Sequence, residues 1–328
     1  MHSSIRSRRL ISAAAVLGLV AALGACRADS ATQAQAKAPA PTGLRIAMIT
    51  EWDSGSFWSV VKSGAEQAAK NEGATLIYST ADGDPQKEAQ LISAAVTLKV
   101  DGIAVSAADP DAIKAPLKKA EAAGIPVITL NSGGDRSAAL GALGHVGQTE
   151  LIAGQQAGRR LAAAGAKKLL CVDDDPGNIG EVQRCQGAQQ GFGNRSEVVD
   201  VTGVSDVATT LTEIESKLRA DPSVDAVLTL NPDVAIAARD AIKAAGSSAR
   251  LATFDLSPDV LTAIQQGQLL FAVDQQPYLQ GYLPVVMLSL YRYNASLIGG
   301  GSPILTGPSF VTADNVAAVR KYVGEGTR

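Results

Sequence analysis

From residue 44 onward the chain alternates short β-rich runs with amphipathic helical stretches, in two successive series. In the first series, strands are predicted over residues 45–49, 75–78, 102–105 and 127–130. Between the first two, Phe57, Val60, Val61, Gly64, Ala65 and Ala68 recur at helical spacing, and Asn71-Glu72-Gly73 ends the run. Asp84-Pro85 opens the next helix, with Leu91, Ala95 and Leu98 predicted on its apolar face. After a glycine-rich passage at 141–147 the alternation resumes, with helices over 150–164, 183–192, 206–219, 234–245 and 258–266. Its strands are predicted over 168–172, 197–201, 226–229, 251–254 and 270–273. Strand–helix–strand units of this length require right-handed crossovers and a parallel sheet covered on both faces. About 285 residues are also more than one hydrophobic core usually serves. The expected fold class is therefore α/β, with two doubly wound parallel-sheet lobes and a cleft at the carboxyl ends of both sheets.

Ahead of this body lie Arg6, Arg8 and Arg9, an apolar run over 10–23, and then Leu23-Gly24-Ala25-Cys26. The apolar run falls short of the roughly 20 residues a spanning helix needs, which favours a cleaved export signal over an anchor. Leu23-Gly24-Ala25-Cys26 resembles the lipobox of bacterial lipoprotein precursors. The resemblance implies that residues 1–25 are removed, that Cys26 carries lipid, and that the protein is extracytoplasmic and anchored to the cell membrane. Residues 26–42, rich in Ala, Gln, Pro and Ser, read as a flexible tether. A net charge of −3 provides no basic patch for nucleic acid. An oxidising exterior permits the remaining cysteines, Cys171 and Cys185, to pair, with two buried free thiols as the alternative.

The strand ends carry Thr50-Glu51-Trp52-Asp53, Ser106-Ala107-Ala108-Asp109, Asn131-Ser132-Gly133-Gly134, Asp173-Asp174-Asp175, Asn231-Pro232-Asp233, Asp255 and Asp274-Gln275-Gln276. A carboxamide both donates and accepts, and a carboxylate accepts from two adjacent hydroxyls, so this set suits a polyhydroxylated ligand. Trp52, Phe57 and Trp58 lie together on one loop and the helix start after it, in a chain with 4% aromatic residues. Such rings supply apolar surface for the C–H face of a sugar. Helix capping is the competing use of the Asn and Asp residues, and core anchorage that of one of Phe57 and Trp58. Asp173-Asp174-Asp175 lacks the spacing of a cation loop and is read as a strand-end turn, so neither metal nor cofactor is expected.

Ser56-Phe57-Trp58, the stretch from Gly124 through Thr129 before Asn131, Asn231, Thr253-Phe254-Asp255 and the D-Q-Q-P-x-x-Q-G-Y segment from Asp274 to Tyr282 together resemble the ribose-binding-protein-like type I solute-binding proteins of ABC sugar importers. The resemblance runs from about residue 44 to the C-terminal end. It implies lobes of 43–147 plus 277–306 and of 148–276 plus 307–328, joined by a three-strand hinge near 147–148, 274–277 and 304–308. It also implies that Phe57 and Trp58 hold a sugar ring, and that Asn231, Asp255 and Gln275 bond its hydroxyls. Asn131 and Gln148 align with further contacts. Ribose binders carry an Asp-Arg pair where this chain has Asn131-Ser132, and Val182 stands at the position of their second-lobe arginine. Arg184, two places on, and Asn178 are the candidates to replace it, which points away from ribose toward another sugar or a polyol.

The implied function is capture of a small carbohydrate or polyol by a monomer that delivers it to an ABC permease. A sensor presenting its bound state to a membrane receptor is the alternative. No nucleophile elbow, phosphate loop, dinucleotide fingerprint or zinc-spaced histidines mark an enzyme. Transcription repressors of this fold begin with a helix-turn-helix, where this chain has a signal and tether.

Overall fold

The computed structural model describes residues 43–328 apart from Ser54 and Asn194. The predicted export signal, Cys26 and the predicted tether lie outside the described residues. The first sheet holds β1 (Arg45–Thr50), β2 (Thr75–Thr80), β3 (Gly102–Ser106), β4 (Val127–Asn131) and β5 (Gly144–Gly147). Between these run α1 (Gly55–Glu72), α2 (Pro85–Thr97) and α3 (Pro110–Ala122). The chain then enters α4 (Glu150–Ala163), β6 (Leu169–Asp173), α5 (Ile179–Phe192), β7 (Ser196–Asp200), α6 (Val207–Ala220) and β8 (Ala226–Thr229). It continues through α7 (Pro232–Ala244), β9 (Arg250–Phe254), α8 (Pro258–Gln265) and β10 (Phe271–Asp274). After α9 (Pro277–Asn294), β11 (Ile304–Leu305) joins the first sheet and β12 (Ser309–Thr312) the second, and α10 (Val316–Gly324) follows.

The strand orders are β11-β5-β4-β3-β1-β2 and β12-β10-β9-β8-β6-β7, so the two lobes repeat one topology. Every pairing is parallel except that of β12 with β10. Each sheet is covered on both faces by apolar clusters, one around Met48 and Trp58 and one around Ile103 and Leu117 in the first lobe. In the second lobe the clusters centre on Val227 and Ile264 and on Leu169 and Phe254.

Helices α2, α3, α7 and α8 share one starting device: a capping Asp84, Asp109, Asn231 or Ser257 followed directly by proline. The side-chain oxygen satisfies a free amide of the first turn, and proline there gives up no needed donor.

Local signals misplace four features. The glycine-rich passage contains β5, whose glycines are buried between β4 and β11, so its strand is made by pairing rather than propensity. Leu98 is 52% exposed at the end of α2, and Ile92 holds the buried place instead. Helix α5 starts at Ile179, ahead of the predicted 183, because Asn178 caps it. Cys185 therefore sits mid-helix, where a disulfide joins it to Cys171 on β6 with Cα atoms 5.8 Å apart.

Candidate functional site

Both sheets reverse strand order beside their first strand, between β1 and β3 and between β6 and β8. Loops diverging at such a point leave a crevice at the carboxyl ends of the strands. The two crevices face one another and enclose a cavity of about 410 Å³.

One wall is aromatic. Phe57 and Trp58, in the first turn of α1, stack edge to face with ring centroids 5.0 Å apart. Both line the cavity and both belong to the first lobe's core, so core anchorage and cavity wall coincide in the same two rings. Trp52 completes this wall and lies across Gly83, where a Cβ would come within 2.4 Å of the indole.

The other walls are polar. Asn131 ends the fourth strand of the first lobe and Asp255 follows the fourth strand of the second. Both are buried and both hold left-handed backbone, with φ of 59° and 66°. Asn and Asp tolerate that region better than other L-residues. Asn231 and Asn178 combine the two uses open to them: each caps its helix through Oδ1, and each lines the cavity. The Nδ2 of Asn178 donates across the cleft to Glu51 Oε2 at 2.7 Å.

Arg184 lies on the cavity floor, its guanidinium 5.0 Å from the ring centroid of Phe254. Its Nε donates to Glu150 Oε2 at 2.6 Å and its Nη2 to Glu150 Oε1 at 3.3 Å. Burial disfavours the charge, but Glu150 outweighs it and the guanidinium stays above its ordinary value. Burial also pushes Asp255 up to about 7, against the attraction of Arg184 and a hydrogen bond from Gln275. For Asp174, burial and then repulsion from Asp173 and Asp175 push the carboxyl up to about 7.

Nine of the predicted site residues, Trp52, Phe57, Trp58, Asn131, Asn178, Arg184, Asn231, Asp255 and Gln275, thus meet on one cavity. Gln148 does not reach it. It is buried at the first crossing and donates from Nε2 to Glu150 at 2.9 Å, so it orients the partner of Arg184. Glu51, Asp174, Asp175 and Glu181 line the cavity without having been singled out. The first three stand in strand-end loops already marked as polar; Glu181 carried no signal because the helix start was placed beyond it. Among the described residues no cluster of His, Cys, Asp or Glu has the arrangement of a metal site.

Side-chain amides also link the lobes through the hinge. Asn131 Nδ2 donates to Gln280 Oε1 at 3.4 Å, Gln280 Nε2 to Gln275 Oε1 at 3.0 Å, and Gln275 Nε2 to Asp255 Oδ1 at 2.8 Å. Gln280 further donates to Thr306 Oγ1 at 3.2 Å on the third crossing.

Two doubly wound lobes closed over a polar cavity with an aromatic wall define a bilobal ligand-binding protein. The periplasmic binding protein domain family matches residues 46–292, and the chain belongs to that family. Its members capture solutes for ABC importers and are not enzymes. A carbohydrate transporter from Acidothermus cellulolyticus 11B, solved in complex with myo-inositol, is 46% identical with a TM-score of 0.85, covering 87% of this chain and 100% of its own. The ribose import binding protein RbsB of Bacillus subtilis is 29% identical over 236 residues, 69% of this chain and 74% of the relative. The xylitol-binding protein of Mycolicibacterium smegmatis is 25% identical over 326 residues, 95% of this chain and 87% of the relative.

Proposed function

We propose that this protein is the extracytoplasmic capture component of an ABC importer for a small neutral sugar or polyol, held at the membrane by lipid on Cys26. The observation that carries this reading is the cavity itself, where Trp52, Phe57 and Trp58 offer an apolar face and Asn131, Asn231, Asp255 and Gln275 offer three amides and a carboxyl from both lobes. Contacts made with both lobes at once favour the closed form over the open one. The crossings near 147–148, 274–277 and 304–308 serve as the hinge, and residues 43–147 plus 277–306 and 148–276 plus 307–328 move as the two lobes. A cyclic polyol is favoured over ribose, because Asn131-Ser132 replaces the charge pair of the ribose binders and the 46% identical relative holds myo-inositol.

The test is calorimetric titration and thermal melting of the protein with myo-inositol, xylitol, ribose and a panel of hexoses. A ligand at 100 times its Kd is expected to add about 2.7 kcal/mol of stability. Heat and melting shift absent across the panel would sink the capture reading. Fractionation of cells expressing Cys26→Ser tests the anchor separately: release from the membrane is expected, and unchanged retention would count against lipidation.

A further inference from the structure

Two acidic surfaces meet at one edge of the cleft. From the first lobe come Glu51 and Trp52 after β1; from the second come Asp175 and Asn178 between β6 and α5. The backbone amide of Ile179 donates to the carbonyl of Ala108 at 3.0 Å, and Gln183 Nε2 donates to Asp135 at 3.1 Å, so the lobes touch along this edge. Within the contact Glu51 is 7% exposed and accepts from Asn178, and Asp175 lines the same cavity from the second lobe. Trp52 lines the cavity beside them. Two carboxylates brought together out of water repel each other, and the repulsion is relieved when one of them takes up a proton.

We infer that Glu51 and Asp175 form a proton-dependent latch across the cleft, so that closure over the ligand takes up a proton. The inference rests on the reading of this cavity as a capture site that closes between two lobes.

The surroundings reinforce the need for a proton. Behind Glu51 a second, small cavity of about 30 Å³ spans the same edge, with Glu88, Asp84 and Asp109 on its first-lobe side. Glu88, on α2, is 2% exposed and bonded by Ser106, and burial pushes it up to about 8. Asp173 ends β6 and Asp174 follows it beside Asp175, and Glu181 faces them from α5. Asp53, on the loop of Glu51, pairs with Lys62 at 4.0 Å. Arg184 is the cation on this side, and Glu150 already engages its Nε and Nη2.

In the open form water separates Glu51 from Asp175, and both ionise near the ordinary value of about 4. In the closed form burial, then the Asp175 and Glu88 charges, hold Glu51 well above that value. The closed form therefore binds the extra proton, and closure is favoured as pH falls through the interval between the two values.

Titration of the full chain with myo-inositol from about pH 5 to about pH 8, in paired buffers of unlike ionisation enthalpy, tests this. About one proton taken up per ligand is expected, with Kd rising by up to about tenfold per pH unit. Glu51→Gln should flatten that slope, whatever it does to Kd itself, and Asp175→Asn should do the same. A slope that survives both substitutions, or Kd independent of pH with no proton exchanged, overturns the latch. Small-angle scattering of the ligand-free protein decides the matter even if no polyol binds. The radius of gyration should shrink on acidification in the native chain but not in Glu51→Gln, and a radius constant with pH in the native chain overturns the inference.

Discussion

Asp255 carries several demands in one residue: left-handed backbone, near-complete burial, an accepted hydrogen bond from Gln275 and a place on the cavity wall. Burial raises its folded pKa to about 7, while the unfolded chain ionises near 4. The folded form thus holds a proton that the unfolded form has lost. The stability this contributes is full below about pH 4, declines as pH rises, and is gone above about pH 7. Asp255→Asn removes the ionisation and leaves an acceptor for Gln275. It is expected to narrow the difference in melting temperature between pH 5 and pH 8, and an unchanged gap would refute the assignment.

Helix pairs place the site residues, and glycines set how closely those helices approach. A Cβ at Gly187 of α5 would sit 2.1 Å from the carbonyl oxygen of Leu151 on α4, and one at Gly154 equally close to that of Arg184. The same close approach joins α1 to α9, where a Cβ at Gly281 would lie 1.8 Å from the Val61 carbonyl. The first contact sets the depth of Arg184 and the second backs the aromatic wall. Gly187→Val must separate α4 from α5, at a cost of about 1–3 kcal/mol, the usual range for overpacking. Chemical denaturation measures that loss, and a variant as stable as the native chain would show that the contact yields cheaply. The Cys171–Cys185 disulfide tethers the same helix to β6 across 14 positions, a loop for which chain entropy predicts about 3 kcal/mol.

At the scale of the whole molecule, the amide relay from Asn131 through Gln280 and Gln275 to Asp255 joins one cavity wall to the other through the hinge. Gln280 is fully buried and does not line the cavity, so it acts only through its partners. Gln280→Leu strands buried polar atoms at a cost of about 1–3 kcal/mol. It is also expected to weaken ligand binding about tenfold, chiefly through faster release, as stopped-flow measurement would register. Lost stability with unaltered release would reduce Gln280 to a packing role. The alternation of strands and helices, the repeated lobe and the polar strand ends were legible in the chain because periodicity and capping act over a few residues. Phe57, Trp58, Asn231 and Asp255 were legible too, since they stand where a doubly wound sheet presents its loops. Glycine-rich β5 was not, because its neighbours build it, and Glu181 was not, because its helix began earlier than its apolar period suggested. The sequence by itself determined two α/β lobes with polar loops aimed at a common cleft. Only the tertiary structure decided which of those loops meet: Glu51 and Asn178 lie 127 positions apart and come together where the two lobes touch. Burial at that contact raises the affinity of Glu51 for its proton, and burial of this kind is a property of the folded assembly that no local stretch of chain encodes.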